Sequence, residues 1–171
     1  TFTWLDGTSE GEQSIEELVE VGRSTGVAAF NIIPDRNYTP GQSDQKLENL
    51  NQVIQLTKDL GLPLLGGTEM NSPGQKFVDD FASPELAPHQ SVFLRGSWIL
   101  HAHSTLQRYA GMGYLSEWAN NQFPDISAKN EFYASFGESF SPRGDDRLKD
   151  SLNAEMGATE VTDLMTKVMS V

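Results

Sequence analysis

The sequence predicts an α/β fold: a β-α-β-α-β parallel unit followed by mostly helices, of the kind found in a TIM-barrel-like architecture or a partial barrel. Two observations carry this. Three short apolar runs, Phe2 to Leu5, Val27 to Ile33 and Leu62 to Gly67, alternate with two segments of helical periodicity. That alternation is the pattern of parallel strands joined by right-handed crossovers. Beyond Pro73 the periodicity is helical nearly to the end of the chain.

The elements are justified in order. Phe2-Thr3-Trp4-Leu5 is stopped by Asp6-Gly7-Thr8-Ser9, which reads as strand, turn and helix cap. Ile15, Leu18, Val19 and Gly22 then recur at helical spacing as far as Gly26. The run from Val27 to Ile33 is nearly continuous, as buried parallel strands are, and Pro34 ends it because proline cannot donate to a ladder. A polar loop from Asp35 to Gln42 follows.

Ser43 or Asp44 caps the next helix, in which Leu47, Leu50, Val53, Ile54, Leu56 and Leu60 make a broad apolar face closed by Gly61. The third run leads into Thr68-Glu69-Met70-Asn71. Further helices are expected over Gln75 to Ala82, Ser91 to Ala110, Leu115 to Phe123, Ala128 to Phe136 and Thr159 to Met169. Ser141-Pro142-Arg143-Gly144-Asp145-Asp146 is a polar turn, so residues 1–140 are read as the α/β domain and residues 141–171 as its helical carboxy-terminal tail.

Composition narrows the function. The 171 residues hold 12 basic and 24 acidic side chains, a formal net charge of −12, which repels phosphate backbones and anionic lipid surfaces. Nucleic acid is not an expected partner. With no cysteine there is no disulfide, thiolate metal site or thiol nucleophile, and a reducing cytoplasm suits the chain. No apolar run approaches the roughly 20 residues that span a bilayer, so a soluble protein without a membrane partner is expected. The chain opens at Thr1 and enters an apolar run at once, as though an amino-terminal portion were missing; a homo-oligomer is the other way its surfaces would find cover.

In α/β sheets and barrels ligands bind at the carboxyl ends of the strands. That rule selects Asp6 after the first strand, Asp35, Arg36 and Asn37 after the second, and Glu69 and Asn71 after the third. Carboxylates gathered at one edge repel each other unless a cation or a catalytic role offsets the cost. Each residue also has a plainer reading. Asp6 before Gly7 and Asp35 after Pro34 are ordinary turn chemistry, and Asn71-Ser72-Pro73-Gly74 is a helix-start signal. Glu69 stands out, because turn chemistry does not ask for a glutamate after Gly66-Gly67. Arg36 suits a carboxylate or phosphate through its planar fork, or a surface ion pair. Asn37 and Asn71 are candidates for binding a small anionic substrate beside it.

The histidines are His89, His101 and His103. In a strand, positions 101 and 103 face the same way and can share a metal. In a helix their rings lie about 200° apart round the axis and cannot. Leu94, Trp98, Leu106 and Tyr109 favour the helix. The aromatic set from Trp98 through Phe136 is spaced like helix packing and is read as core. No GxGxxG or GxxxxGK occurs, so nucleotide-cradling loops have no support.

Two stretches resemble the polymerase-and-histidinol-phosphatase (PHP) family of metal-dependent hydrolases. Leu60-Gly61-Leu62-Pro63-Leu64-Leu65-Gly66-Gly67-Thr68-Glu69 looks like that family's strand ending in a glycine and a metal-bridging glutamate. His101-Ala102-His103-Ser104-Thr105 matches its opening His-x-His wording, although in the family that motif precedes the glutamate. The resemblance implies a phosphoesterase or amidohydrolase using divalent zinc, manganese or magnesium. Glu69, Asp6, His101 and His103 are then metal candidates, and Glu69, Asp35 and Arg36 catalytic ones. The alternative is a non-catalytic binding or assembly domain on the same scaffold. An aldolase or isomerase would want a lysine at a strand end, and none is found there.

Overall fold

A computed structural model describes the chain except residues 38–43, 72, 76, 140–147, 170 and 171, together with the side chains of residues 35 and 169. The Ser43 cap and the Ser141-to-Asp146 turn therefore lie outside the described residues. The chain divides into two compact units, Thr1–Leu94 and Arg95–Val171.

The first unit is a mixed α/β structure built on three parallel strands, β1 (Phe2–Trp4), β2 (Phe30–Ile32) and β3 (Leu64–Gly66), in the sequential order β1-β2-β3. The register places Phe2 beside Phe30 and Phe30 beside Leu64. Between β1 and β2 come α1 (Glu10–Gln13) and α2 (Ile15–Ser24); between β2 and β3 come α3 (Pro34–Asn37) and α4 (Asp44–Asp59). Both crossover helices end in the same way. Val27 N–H reaches back to the Gly22 carbonyl at 2.9 Å, and Leu62 N–H to the Thr57 carbonyl at 2.8 Å. The intervening Gly26 and Gly61 take φ of 90° and 65°, the left-handed conformation this six-residue closure needs.

Side-chain alternation divides the sheet's two faces. Trp4, Phe30, Ile32 and Leu64 lie on one face at 0–1% exposure. There they join Val19 of α2 and Leu50, Val53 and Ile54 of α4 in one core cluster with Leu86 and Phe93. The row on the other face is Thr3, Asn31 and Leu65, which pair across the strands. Thr3 is exposed, Asn31 half-buried and Leu65 buried. One polar residue in an apolar run thus marks the face opposite the core cluster.

The expected helix over Gln75 to Ala82 does not form; the described residues there are turns, bends and irregular chain. Gly74 is left-handed at φ 89°, and Asp80 Oδ1 accepts the Ala82 N–H at 3.1 Å. This local bond competes with helix formation. The apolar residues do not share a stripe either. Phe77 and Val78 are 77% and 62% exposed, while Phe81 packs edge-on against Phe93 at 5.7 Å between ring centroids.

The boundary between the units falls within α5 (Gln90–Ala110). The second unit continues with α6 (Glu117–Gln122), α7 (Ile126–Ser139) and α8 (Ala158–Met169), close to the helical segments expected from periodicity. The aromatic set forms core: Tyr133 and Phe136 are 0% and 1% exposed, and Trp118, Phe123 and Phe132 meet at 4.8–6.0 Å between centroids. The buried polar tips are matched. Tyr133 Oη donates to the Met112 carbonyl and Tyr114 Oη to Asn130 Oδ1, each at 2.6 Å. Burial pushes the Tyr114 phenol up to about 12. No helix among the described residues is long and apolar enough to cross a membrane.

Phe30, on the central strand, fixes the packing of both crossover helices. Phe30→Ala is expected to cost about 3–5 kcal/mol, read as a lower urea midpoint for the unfolding of the sheet-bearing unit.

Candidate functional site

Every strand of a β-α-β unit points the same way, so the loops after β1, β2 and β3 and the first turns of the following helices emerge at one edge. Two ion pairs stand on it. Arg36, at the end of α3, donates through Nε to Glu69 Oε2 at 2.7 Å. Its Nη2 reaches the same oxygen at 2.5 Å. The other glutamate oxygen, Oε1, accepts from Asn71 Nδ2 at 2.7 Å. Loops from two neighbouring strands are thereby tied through one carboxylate. Asn71 is positioned in turn by its own N–H, which donates to Gln75 Oε1 at 2.7 Å.

The second pair joins Lys46 Nζ to Asp6 Oδ2 at 2.8 Å. Thr8 supplies two more donors to Asp6 Oδ1, its N–H at 3.0 Å and its hydroxyl at 2.5 Å. Burial acts to raise the Asp6 carboxyl, but the Lys46 and Thr8 hydrogen bonds and the lysine's charge outweigh it and hold the group below its ordinary value. Lys46 also reaches the Arg36 carbonyl at 3.4 Å, which links the two pairs.

Exposure sets what these pairs contribute. The Arg36 and Glu69 side chains are 42% and 23% exposed, and those of Lys46 and Asp6 27% and 16%. Partly solvated pairs contribute about 0–1 kcal/mol each to stability. Their effect is therefore on orientation: each fixes a charged group that would otherwise sweep through solvent.

Of the residues selected from the sequence, Asp6, Arg36, Glu69 and Asn71 stand at this edge in defined contacts. Asn37 does not face solvent. It is 2% exposed, and its Nδ2 donates to the Ile33 carbonyl at 3.0 Å. Asp35 is on α3, with its side chain outside the described residues. His101 and His103 belong to the second unit, where α5 is helical through both. Their rings therefore leave the axis about 200° apart. His103 Nδ1 accepts the Tyr114 N–H at 2.9 Å and so closes the loop that follows α5. Among the described residues no group of three His, Asp or Glu side chains stands close enough to hold a metal ion.

Three residues at or beside the edge were not selected from the sequence. Lys46 and Asn49 come from the opening turns of α4, and Asn49 Nδ2 donates to the Asp6 carbonyl at 3.0 Å. Lys46 is the strand-end lysine that the loops themselves lack. The signal was available: a helix that follows a strand begins at the carboxyl edge, so its first turns belong to the site. Asn31, the amide inside an apolar strand, donates to Thr3 Oγ1 at 3.4 Å. Its Oδ1 lies 2.8 Å from where a Cβ on residue 67 would sit, so Gly67 is required for the amide to lie against the end of β3.

Compared with protein-family models, curated proteins and solved structures, the chain matches none.

Because the Asp6 carboxyl is held low chiefly by Lys46 and Thr8, Lys46→Met is expected to move its midpoint upward in a carbon-detected NMR pH titration. The sign follows from linkage. A depressed carboxyl stabilises the fold above its unfolded-chain value of about 3.9 and loses that contribution as pH falls through the lower folded value. Lys46→Met should therefore flatten the acid limb of the stability profile and leave the region above pH about 7 nearly parallel to the unsubstituted chain.

Proposed function

We propose that the first unit carries the strand-end edge of a PHP-type hydrolase acting on a small anionic substrate, with Arg36 as the anion clamp. The observation that carries this reading is the Arg36–Glu69–Asn71 chain. A guanidinium has five N–H donors in a rigid fork. Nε and Nη2 are spent on Glu69 Oε2, which leaves the remaining donors oriented for a phosphate or carboxylate. Glu69 sets the direction of that fork, and Asn71 holds Glu69.

The barrel-like part of the proposal rests on the winding. Sequential strand order, with crossover helices packed on one face and the row Thr3-Asn31-Leu65 on the other, supports reading the sheet as part of a barrel wall.

A divalent ion in such an enzyme would activate water and stabilise charge on the scissile group. The described donors do not make a closed centre for one. Asp6 and Glu69 are two carboxylates, each already neutralised by a side-chain cation. No step is therefore assigned through a metal. The same neutralisation favours a second reading, a non-catalytic binding domain whose edge recognises an anion through Arg36 alone.

Metal content by plasma mass spectrometry, on protein purified without chelator and beside Glu69→Gln, separates the two. Stoichiometric zinc, manganese or magnesium that falls by half or more in the variant supports the hydrolase and directs a phosphoesterase screen, in which Arg36→Ala should raise KM about tenfold or more, a loss of about 1.4 kcal/mol in binding. No metal in either protein overturns the hydrolase and leaves the binding domain.

A further inference from the structure

Beside the Arg36–Glu69 edge, a cavity of about 460 Å³ opens between the turn after β1 and the first turns of α4. Its size is in the range of small-molecule sites, about 300–1,000 Å³. Its polar wall is made by Glu12 and Gln13 of α1 and by Gln45, Asn49 and Gln52 of α4, over the indole of Trp4. Residues 45, 49 and 52 are spaced i, i+4, i+7 and so form one stripe along the helix.

We propose that this cavity binds a neutral polyhydroxylated ligand, a sugar ring or a sugar-like polyol. Three independent features point there. Among the described residues the lining holds four carboxamides and one carboxylate, with no lysine or arginine. A carboxamide both donates and accepts, as a hydroxyl does, whereas the Glu12 carboxylate accepts only and repels anions. The wall is therefore matched to hydroxyl groups and opposed to phosphates.

The second feature is an unsatisfied donor. Trp4 is 1% exposed, and its indole N–H has no hydrogen-bond partner among the described residues. Leaving such a group unmatched costs about 1–3 kcal/mol. The ring carbon Cζ2, on the nitrogen's side of the indole, comes within 2.9 Å of a Cβ position at Gly7, and Gly7 and Asn49 line the cavity with Trp4. Trp4 thus lines the cavity with its ring, and its indole N–H is buried beneath the wall.

The third feature is preorganisation. Gly7, at φ 70°, turns the chain so that no Cβ intrudes; one would lie 2.7 Å from Asn49 Nδ2. Asn49 is fixed from both sides, giving Nδ2 to the Asp6 carbonyl at 3.0 Å and taking the Gln45 Nε2 donor on Oδ1 at 3.0 Å. Glu12 is fixed as well, by the Leu5 N–H at 2.8 Å and the Ser9 hydroxyl at 3.0 Å. The Gln52 side chain, exposed at the rim, makes no hydrogen bond to another described residue. The site does not depend on the hydrolase reading, because it shares neither Arg36 nor Glu69.

The experiment follows the indole N–H signal of Trp4, assigned by its loss in Trp4→Phe, in nitrogen-correlated NMR spectra of the full chain. The probes are methyl β-D-glucoside, N-acetyl-D-glucosamine, myo-inositol and inorganic phosphate. Binding predicts a saturable shift of that signal with at least one of the three polyols below about 50 mM, and none with phosphate. The double variant Gln45→Ala/Gln52→Ala, which alters two exposed side chains, should weaken the response about tenfold or more with an unchanged far-ultraviolet spectrum. No saturable shift with any polyol, a response equal in the double variant, or a shift produced by phosphate overturns the proposal.

Discussion

The packing of two crossover helices onto one face of a three-stranded parallel sheet is the constraint from which the rest of the first unit follows. Phe30 and Ile32 of the central strand are fully buried, and they meet residues from α2, α4 and the segment Leu86 to Phe93 in the same cluster. Burying side chains of this size contributes about 1.5–3 kcal/mol each, far more than any ion pair at the edge. Once α2 and α4 are held on that face, their starts are fixed at the carboxyl edge. The positions of Gln45, Lys46 and Asn49 are consequences of the apolar packing of α4.

The edge itself is electrostatically quiet for a chain of net charge −12. Glu69 and Asp6 would repel each other and their neighbours if bare, and each is matched by a cation from a different element. The matching has a structural consequence. Arg36 holds the loop after β2 to the loop after β3, and Lys46 holds α4 to the turn after β1, so three separate loops act as one surface. Neither pair adds much stability at its exposure; both reduce the number of arrangements the charged groups adopt.

The polar cavity next to this surface has a different chemistry. Arg36 and Lys46 stand on one side of the Asp6 turn, and carboxamides stand on the other, above an unmatched indole N–H. The turn at Gly7 separates the two, since Asp6 faces Lys46 while Gly7 and Thr8 line the cavity. One loop thus borders both a charged surface and a neutral one.

The sequence by itself determined the elements. Three apolar runs and the helical spacing of Leu47, Leu50, Val53 and Ile54 gave strands and helices within a few residues of where they stand, because burial of one face imposes its period on the chain. It also determined the edge that carries Asp6, Arg36 and Glu69, since parallel winding leaves no other place for those loops. It misread Gln75 to Ala82, where local Asp80 bonding and a left-handed Gly74 override an apolar pattern that has no single face to bury. Tertiary structure alone decided the partners: that Glu69 pairs with Arg36, that Asp6 pairs with Lys46 from 40 residues further on, that Asn37 turns inward, and that Trp4 lies beneath a carboxamide wall. Such pairings depend on distances between elements remote in sequence. Periodicity encodes which face of an element is buried, and it carries no information about what that face or its rim will meet.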